Sequence, residues 1–292
     1  MNSRRLWQAL STVAHNAYVP AFFTTFIYQG ALKSGCTPTL NCYACPSALM
    51  SCPIGTLQHF AVRRQFPFFL LGFFGIVGMA VGRMTCGWLC PFGFLQDGMK
   101  RISRRIVRMP AWAEYFKYVS LVVLAIALPV LLTESWFSKL CPQGAIEGAI
   151  PWAAAAAARL EPVKGMDVGS MMGAMFWTKI AILAAFLVAM VFIKRPFCRT
   201  TCPMGAVLSL FNRASFVRLT VDPHACKECN FCQDVCPVDL VAYKQVDSAA
   251  CIKCLECVKC PRGAIRVTYG FGPRPAQEAG ACDARDSARA RA

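Results

Sequence analysis

Residues 86–93 have the sequence CGWLCPFG, and residues 198–205 have the sequence CRTTCPMG. Both follow the pattern Cys-x3-Cys-Pro-x-Gly, and each comes directly after a long apolar run. Simpler Cys-Pro-x-Gly units begin at Cys52 and Cys141, again after apolar runs. An apolar run followed by a Cys-Pro-x-Gly unit therefore occurs four times, which indicates that the chain contains two homologous halves.

Four apolar runs are long enough to cross a bilayer, which requires about 20 mainly apolar residues. We expect transmembrane helices over residues 6–32, 66–84, 115–136 and 168–193. The first run is the most polar because it includes His15 and Pro20, and a buried amphipathic helix is the alternative there. A composition with 56% hydrophobic and 16% charged residues also favours a membrane protein over a soluble domain.

The formal net charge of +16 is distributed unevenly along the chain. Basic residues concentrate after the second and fourth apolar runs: Lys100, Arg101, Arg104, Arg105, Arg108, Lys194, Arg195, Arg199, Arg213 and Arg218. This asymmetry follows the positive-inside rule for a multi-pass protein with both termini in the cytoplasm. No soluble module with interleaved aromatic residues accompanies the charge, so we do not expect nucleic acid as a partner.

The C-terminal part contains two runs of closely spaced cysteines, each followed by proline. They are Cys226-x2-Cys229-x2-Cys232-x3-Cys236-Pro and Cys251-x2-Cys254-x2-Cys257-x2-Cys260-Pro. The double run resembles the two-cluster bacterial ferredoxins, in which three cysteines of one run and the last of the other hold each [4Fe–4S] cluster. The resemblance implies one cluster on Cys226, Cys229, Cys232 and Cys260, and a second on Cys251, Cys254, Cys257 and Cys236. Zinc is the structural alternative.

The second run departs from the ferredoxin pattern, because two residues rather than three precede Cys260. The cluster that includes Cys260 is therefore the less secure of the two in the tail.

The duplication itself predicts a cluster at the inner face of the membrane. A twofold axis along the membrane normal would bring together Cys86, Cys90, Cys198 and Cys202. These four thiolates are the number that a [4Fe–4S] cluster requires. Zinc or unligated thiols are the alternatives at this face.

At the outer face, the same axis pairs Cys52 with Cys141, and Cys42-x2-Cys45 can supply two more thiolates. We therefore expect an outer cluster on Cys42, Cys45, Cys52 and Cys141. Cys36 is an alternative ligand. Disulfides are the other interpretation of these cysteines, because they are chemically allowed outside the cytoplasm.

The two Cys-x3-Cys-Pro units, each closing an expected transmembrane helix, precede a double-cluster tail. In this arrangement the chain resembles the NapH-type membrane polyferredoxins and the related NosR and CcoG groups, over roughly residues 66–270. The resemblance implies a component of the bacterial cytoplasmic membrane that relays quinol electrons toward a periplasmic reductase or its electron carrier. The additional cysteines of residues 41–55 (NCYACPSALMSCPIG) depart from the family pattern and leave the substrate system open.

The expected fold is an all-α bundle of four membrane helices (residues 1–200), a cytoplasmic α+β ferredoxin-like domain (residues 201–271) and a disordered tail (residues 272–292). The expected function is electron transfer between the quinone pool or a cytoplasmic donor and a periplasmic or membrane redox partner. Membrane lipid and a quinone are further expected ligands, and no residue is assigned a catalytic role. Whether the chain is an enzyme, as a quinol dehydrogenase component, is left open. The alternatives are a redox-sensing or assembly factor for another metalloenzyme and a soft-metal transport protein.

Overall fold

The computed structural model describes residues 3–22, 28, 30–103, 105, 107–157, 172–246 and 248–271. The helices run over Ser3–His15, Ala31–Ser34, Pro53–Val62, Phe68–Val81, Met84–Trp88, Pro91–Met99, Ala111–Leu132, Trp136–Leu140, Pro142–Gly144, Ile150–Ala157, Ala174–Phe192, Pro196–Thr200, Pro203–Leu210, Phe231–Asp234 and Ala242–Gln245. Turns of 3-10 helix cover Val19–Phe22 and Glu256–Lys259, and π-helical segments cover Ser120–Ala127 and Ala145–Ala149. Two strands, Val217–Val221 and Ile265–Tyr269, complete the described part.

Two of the four expected membrane helices have the length and apolarity to cross a bilayer. They are Ala111–Leu132, with 22 residues, and Ala174–Phe192, with 19 residues. The expected helix at 66–84 is shorter, because Phe68–Val81 has 14 residues and ends at Gly82, whose φ is +59°. A helix of that length rises about 21 Å, less than the hydrocarbon core of about 30 Å. Residues 168–171 of the fourth expected helix lie outside the described residues.

The prediction of one continuous helix over residues 6–32 is wrong. The helix Ser3–His15 ends where His15 turns its ring toward Thr37 and Thr39, whose hydroxyls lie 2.7 and 3.3 Å from its Nε2. Pro20 follows shortly afterwards and lacks the N–H that a helix interior would need. At the end of this helix, His15 has buried polar partners in a segment that is distant in sequence. Hydropathy along the chain does not reveal such partners.

The N-terminal helix turns its polar side chains toward the protein and its apolar side chains outward. Its buried residues are Arg4, Gln8, Ser11 and His15, while Leu6, Trp7, Leu10 and Val13 are exposed. This is the reverse of a helix on the surface of a soluble protein. The amphipathic alternative for this segment therefore describes the helix better than a spanning helix does, although its apolar face points away from the core.

The two strands pair antiparallel, with Val217 opposite Tyr269 and Val221 opposite Ile265. They bring together the two ends of the segment that carries both runs of closely spaced cysteines. The helix Pro203–Leu210, although part of the predicted ferredoxin-like domain, contacts Ala111–Leu132 and Phe68–Val81. The predicted domain boundary at residue 201 stays a prediction, and the expected tail of residues 272–292 lies outside the described residues.

One apolar cluster joins the helical part to the cysteine-rich tail. Its members include Phe74, Phe92 and Phe197 from the helices, and Val238 and Ile252 from the tail. The rings of Phe92 and Phe197 meet edge to face at 5.0 Å between centroids. Because the two parts share a core, their relative position is set by packing.

Gly78 allows a close contact within this core. A Cβ atom at Gly78 would lie 2.5–2.9 Å from atoms of Phe211, which follows the helix Pro203–Leu210. Gly75, one turn earlier in the same helix, has no neighbouring atom within 4 Å of its Cβ position. The two glycines thus differ in surroundings although they share a helix.

We expect Gly78→Ala to lower the melting temperature of the protein in detergent or lipid, because overpacking typically costs about 1–3 kcal/mol. Gly75→Ala is the matched control and should be neutral or stabilising by up to about 1 kcal/mol, since alanine favours helix. Thermal unfolding measured side by side checks the pair. Equal melting temperatures for the two variants would contradict the packing described for Phe211.

Candidate metal centres

The first Cys-x3-Cys-Pro-x-Gly unit forms two short helices with a break between them. Cys86 lies in the helix Met84–Trp88, and Cys90 caps the next helix, Pro91–Met99. Proline is favoured at the first helical position, because the N–H that it lacks would have no partner there. Cys90 therefore lies at a helix N-terminus, where the backbone dipoles favour negative charge.

The second unit repeats this layout. Cys198 lies in the helix Pro196–Thr200, and Cys202 caps Pro203–Leu210. The sulfur of Cys202 accepts a hydrogen bond from the backbone N–H of Gly205 at 3.4 Å. The duplication expected from the sequence is thus present in the local conformation of both units.

Two buried arginines connect the units reciprocally. Arg83 donates from Nη2 to the carbonyl oxygen of Cys198 at 3.1 Å, and Arg195 donates from Nη1 to the carbonyl oxygen of Cys86 at 2.8 Å. Each arginine thus reaches from just before its own first cysteine to the first cysteine of the other unit. Both side chains are fully buried, with exposed fractions of 0% and 1%.

The glycine of each unit leaves room for the arginine of the other. A Cβ atom at Gly205 would lie 3.1 Å from Nη2 of Arg83, and one at Gly93 would lie 3.3 Å from Nη1 of Arg195. The absent side chains allow both guanidinium groups to reach the carbonyl oxygens. The Cys-Pro-x-Gly glycines therefore have a defined packing role in this pair of units.

The four cysteines of the two units are buried close to one another. Cys202 lies within electrostatic range of Cys198, Cys86 and Cys90. Burial, together with the neighbouring Cys198 and Cys86, raises the pKa of Cys90 to about 12. The side-chain amide of Gln96 donates to the sulfur of Cys198 at 2.9 Å. We call this group, Cys86, Cys90, Cys198 and Cys202, the inner set.

The donor chemistry of the inner set fits a [4Fe–4S] cluster. All 17 cysteines that the structure describes carry free thiols. Within the same described part, no three Cys, His, Asp or Glu side chains converge closely enough to hold one metal ion. Four buried thiolates from two repeats are the number and type of ligand that a [4Fe–4S] cluster takes.

In the tail, Cys236, Cys251, Cys254 and Cys257 line one apolar pocket. Burial raises the pKa of Cys254 to about 12, and nearby Cys236 adds to the rise. These are the four residues that the ferredoxin resemblance assigns to one cluster. We call them the proximal tail set, because they lie next to the helical part.

The other tail cysteines are less buried. Cys232 packs in the same apolar cluster as Cys257, whereas Cys226 and Cys260 are half-buried and Cys229 is exposed. The 3-10 turn Glu256–Lys259 contacts the short helix that carries Cys232 and ends directly before Cys260. This tight turn occupies the place where the sequence is one residue shorter than the ferredoxin pattern.

The first unit and the proximal tail set are in direct contact. A Cβ atom at Gly87 would lie 2.8 Å from the carbonyl oxygen of Ile252 and 3.5 Å from Cα of Cys254. The indole N–H of Trp88 donates to the carbonyl oxygen of Lys253 at 3.3 Å. Backbone therefore meets backbone between the inner set and the proximal tail set.

Three of the expected outer ligands, Cys42, Cys52 and Cys141, line a common pocket. Burial raises the pKa of Cys141 to about 12, and the backbone N–H groups of Gly144 and Gln143 oppose the rise. The backbone N–H of Cys42 donates to the carboxylate of Glu147 at 2.7 Å. We call the expected group, Cys42, Cys45, Cys52 and Cys141, the outer set.

The remaining outer cysteines have different surroundings. Cys45 is buried near Cys42, with its sulfur 3.2 Å from the hydroxyl of Ser47. Cys36 is half-buried, and its sulfur lies 3.9 Å from the hydroxyl of Thr56. Burial raises the pKa of Cys36, and no cysteine contributes to that shift.

The outer and inner sets adjoin each other inside the protein. Cys52 lies within electrostatic range of both Cys141 and Cys90. The backbone N–H of Leu40, two residues before Cys42, faces the sulfur of Cys90 and lowers its pKa. The loop that precedes the outer set therefore extends to a cysteine of the inner set.

Sequence reasoning missed the structural role of the two arginines. The signal was present, because both units extend to Arg-x2-Cys-x3-Cys-Pro-x-Gly, beginning at Arg83 and at Arg195. Lys117 was also missed as a buried residue near the inner set, since a lone lysine at the start of an apolar run usually extends toward water.

The comparisons with known proteins agree with this duplicated site. The family model described as "4Fe-4S binding domain" matches twice, at residues 65–110 and 175–220. The chain thus carries two matches to a 4Fe–4S binding domain and is similar to the ferredoxin-type protein NapH and related 4Fe–4S proteins. This confirms the resemblance that the Cys-x3-Cys-Pro units indicated.

Among similar proteins, the ferredoxin-type protein NapH of Escherichia coli is 24% identical over 63% of this chain and 60% of its own length. The regulatory protein NosR of Pseudomonas aeruginosa is 27% identical over 59% of the chain and 22% of NosR. An uncharacterized protein of Methanocaldococcus jannaschii is 28% identical over 68% of the chain and 77% of that protein. The chain thus spans less than two thirds of the NapH and NosR sequences. No solved structure matches the chain significantly.

A buried ion pair between Arg195 and Asp97 joins the two Cys-x3-Cys-Pro units. Nε and Nη2 of Arg195 donate to the two carboxylate oxygens of Asp97 at 2.7 and 2.6 Å. Burial alone would raise the pKa of Asp97, but Arg195 and Arg4 hold it below its usual range. Asp97 is therefore charged inside the protein and needs its arginine partners.

We expect Arg195→Gln to destabilise the protein by about 3–5 kcal/mol, because it leaves a buried carboxylate without its main partner. Lys139→Gln is the matched control: it removes a cation from the exposed pair with Glu134 and should cost less than about 1 kcal/mol. Denaturant unfolding in detergent measures both changes. Similar small losses in the two variants would show that Arg195 is not needed to join the units.

Proposed function

We propose that this chain is a multi-pass protein of the bacterial cytoplasmic membrane that transfers electrons through [4Fe–4S] clusters held by its cysteine sets. The inner set, the proximal tail set and the outer set would each hold one cluster, and a further tail cluster would use Cys226, Cys229, Cys232 and Cys260. When bound, each cluster would supply one-electron redox chemistry. The observation that carries the proposal is that the first unit meets the backbone of the tail at Gly87, while Leu40 and Cys52 bring the outer loop next to Cys90.

The surface of the helices supports a membrane location. Few residues of the two long apolar helices are buried inside the protein. The buried share of the apolar stretch is 22% in Ala111–Leu132 and 11% in Ala174–Phe192. A core helix of a soluble protein would be mostly buried, whereas here side chains such as Leu131 and Val188 are exposed. Large exposed apolar surfaces of this kind are expected where lipid is the solvent. Both termini and the tail would then lie in the cytoplasm, as the distribution of basic residues indicates.

The adjoining cysteine sets bear on how electrons would cross the membrane. A hydrocarbon core of about 30 Å is too wide to be bridged between clusters at its two surfaces. The proximity of the Leu40 backbone N–H to Cys90 supports a route in which the outer loop dips between the helices, so that protein covers its irregular backbone. A bound quinone between the clusters would then not be required for the transfer.

The protein contributes packing, shielding and orientation to this route. The glycine contact at Gly87 and the bond from Trp88 fix the distance between the inner set and the proximal tail set. Apolar residues such as Phe197 and Ile252 exclude water from both sets. The donor would be the quinone pool or a cytoplasmic protein, and the acceptor a periplasmic or membrane redox partner.

A redox-sensing or assembly factor for another metalloenzyme is the second candidate function. The observation that favours it is the similarity to NosR, which is named a regulatory protein. Both functions use the same clusters, but an electron-transfer protein must be reduced and reoxidised by its partners. Reduction of the purified protein by quinol, followed by reoxidation by a periplasmic carrier, favours electron transfer. Clusters that are inert to both, in a protein whose deletion impairs maturation of a metalloenzyme, favour the second function.

We expect the purified chain to contain about twelve to sixteen atoms each of iron and acid-labile sulfide, as three or four [4Fe–4S] clusters require. Cys86→Ser should abolish one cluster signal in the EPR spectrum of the reduced protein and leave the tail signals in place. Cys36→Ser is the matched control and should leave every signal unchanged. Zinc or copper in place of iron, or the loss of no signal in Cys86→Ser, would refute the assignment of the inner set.

A further inference from the structure

The equivalent arginines of the two repeats have different partners. Arg195 is neutralised by Asp97, which accepts two of its hydrogen bonds. Arg83 donates to the carbonyl oxygens of Ala249 and Cys198, and its Nε has no hydrogen-bond partner in the described structure. Among the described residues, Arg83 forms no ion pair. One of two equivalent guanidinium groups thus keeps its full positive charge.

The difference has a clear origin in the sequence. Asp97 lies seven residues after Cys90 in the first repeat, and Ser209 occupies the equivalent position after Cys202 in the second. Ser209 is buried and uses its hydroxyl for the carbonyl oxygen of Ala206 and the hydroxyl of Tyr118. A neutral residue therefore stands where symmetry would place the carboxylate for Arg83.

A second buried basic side chain, Lys117, lies within electrostatic range of Arg83. Lys117 is 1% exposed, and its Nζ lies 5.1 Å from the centre of the Tyr118 ring. Its charged neighbours are Arg83, which repels it, and Glu114, which already receives two hydrogen bonds from Arg199. Cys202 and Cys86 also lie within electrostatic range of Lys117.

Two like charges buried side by side are costly unless an anion balances them. The ionisable groups within electrostatic range of this pair include Glu114 and four cysteines: Cys86, Cys198 and Cys202 of the inner set, and Cys251 of the proximal tail set. A cluster held by four thiolates carries net negative charge and becomes more negative when it is reduced. Ionisable residues inside a membrane protein commonly mark such a functional partner.

We propose that Arg83 and Lys117 form a positively charged site that raises the reduction potential of the cluster on the inner set. The inference rests on the proposed function, because it requires a cluster at that set. Nearby positive charge stabilises the more negative, reduced form in a medium of low dielectric constant, and net charge around the sulfurs is a main determinant of cluster potential. Because Ser209 replaces the carboxylate that Asp97 provides in the first repeat, Arg83 keeps a positive charge that no carboxylate neutralises.

The test is an EPR-monitored redox titration of the purified full chain, with the inner cluster identified as the signal that Cys86→Ser removes. In Lys117→Met, the ratio of reduced to oxidised inner cluster at the wild-type midpoint should fall at least tenfold, which corresponds to ~59 mV for one electron. Ser209→Asp should shift the same signal in the same direction, because it supplies Arg83 with the carboxylate that Arg195 already has. Lys117→Arg should stay close to wild type.

The matched control is Lys244→Met in the tail. Like Lys117, Lys244 lies over the ring of an adjacent tyrosine, with its Nζ 5.7 Å from the Tyr243 centroid. Unlike Lys117, it is exposed. Its loss removes the same charge and the same type of ring contact, and should leave the inner potential unchanged. An equal shift in Lys244→Met and Lys117→Met would overturn the proposal, because any lost charge would then suffice.

The remaining outcomes also decide the question. If Lys117→Met loses the inner cluster while Lys117→Arg retains it, a cation is required to hold the anionic cluster, which supports the proposal. Equal loss in both variants would overturn it, since charge would not be the property that matters. An unchanged inner potential in both Lys117→Met and Ser209→Asp, with iron content intact, would overturn it as well. Absence of iron from the wild-type protein would instead refute the proposed function.

Discussion

The reciprocal hydrogen bonds of Arg83 and Arg195 are the constraint on which the site depends. Each guanidinium group crosses to the carbonyl oxygen of the first cysteine in the other repeat, at 3.1 and 2.8 Å. Because both arginines are buried, separating the repeats would leave two buried charges without their hydrogen-bond partners. The same bonds hold Cys86 and Cys198 near each other, so one interaction both closes the helical core and assembles the inner set.

From this junction the structure extends in two directions. On one side, Gly87 lets the first repeat meet the backbone of Ile252, which brings the tail against the helices. On the other side, the amide of Leu40 reaches the sulfur of Cys90. The shared core explains why a chain with a duplicated helical part and a cysteine-rich tail forms one packed unit. It also gives the proposed clusters neighbouring positions in the order tail, inner set and outer set.

Local spacing predicted much of this arrangement, and distant contacts account for the rest. The Cys-x3-Cys-Pro-x-Gly pattern indicated both the duplication and the family, because proline and glycine have fixed roles at helix starts and close contacts. The four cysteines of the proximal tail set were grouped by the ferredoxin resemblance, and they line a common pocket; their role as ligands stays a prediction. The end of the first helix at His15 was not predictable from local sequence, since it depends on Thr37 and Thr39. The hydrogen-bond partners of Arg83 and Arg195 were not predicted either, because each partner lies in the other repeat.

The account requires four iron atoms enclosed by sulfurs from both halves of the chain. Anomalous scattering at the iron edge, from crystals of the intact protein, measures their positions directly. The account predicts a compact iron peak bounded by residues 86, 90, 198 and 202, in contact range of the proximal tail set. Iron confined to the tail, with the thiols of those four positions unligated or paired as disulfides, would contradict it.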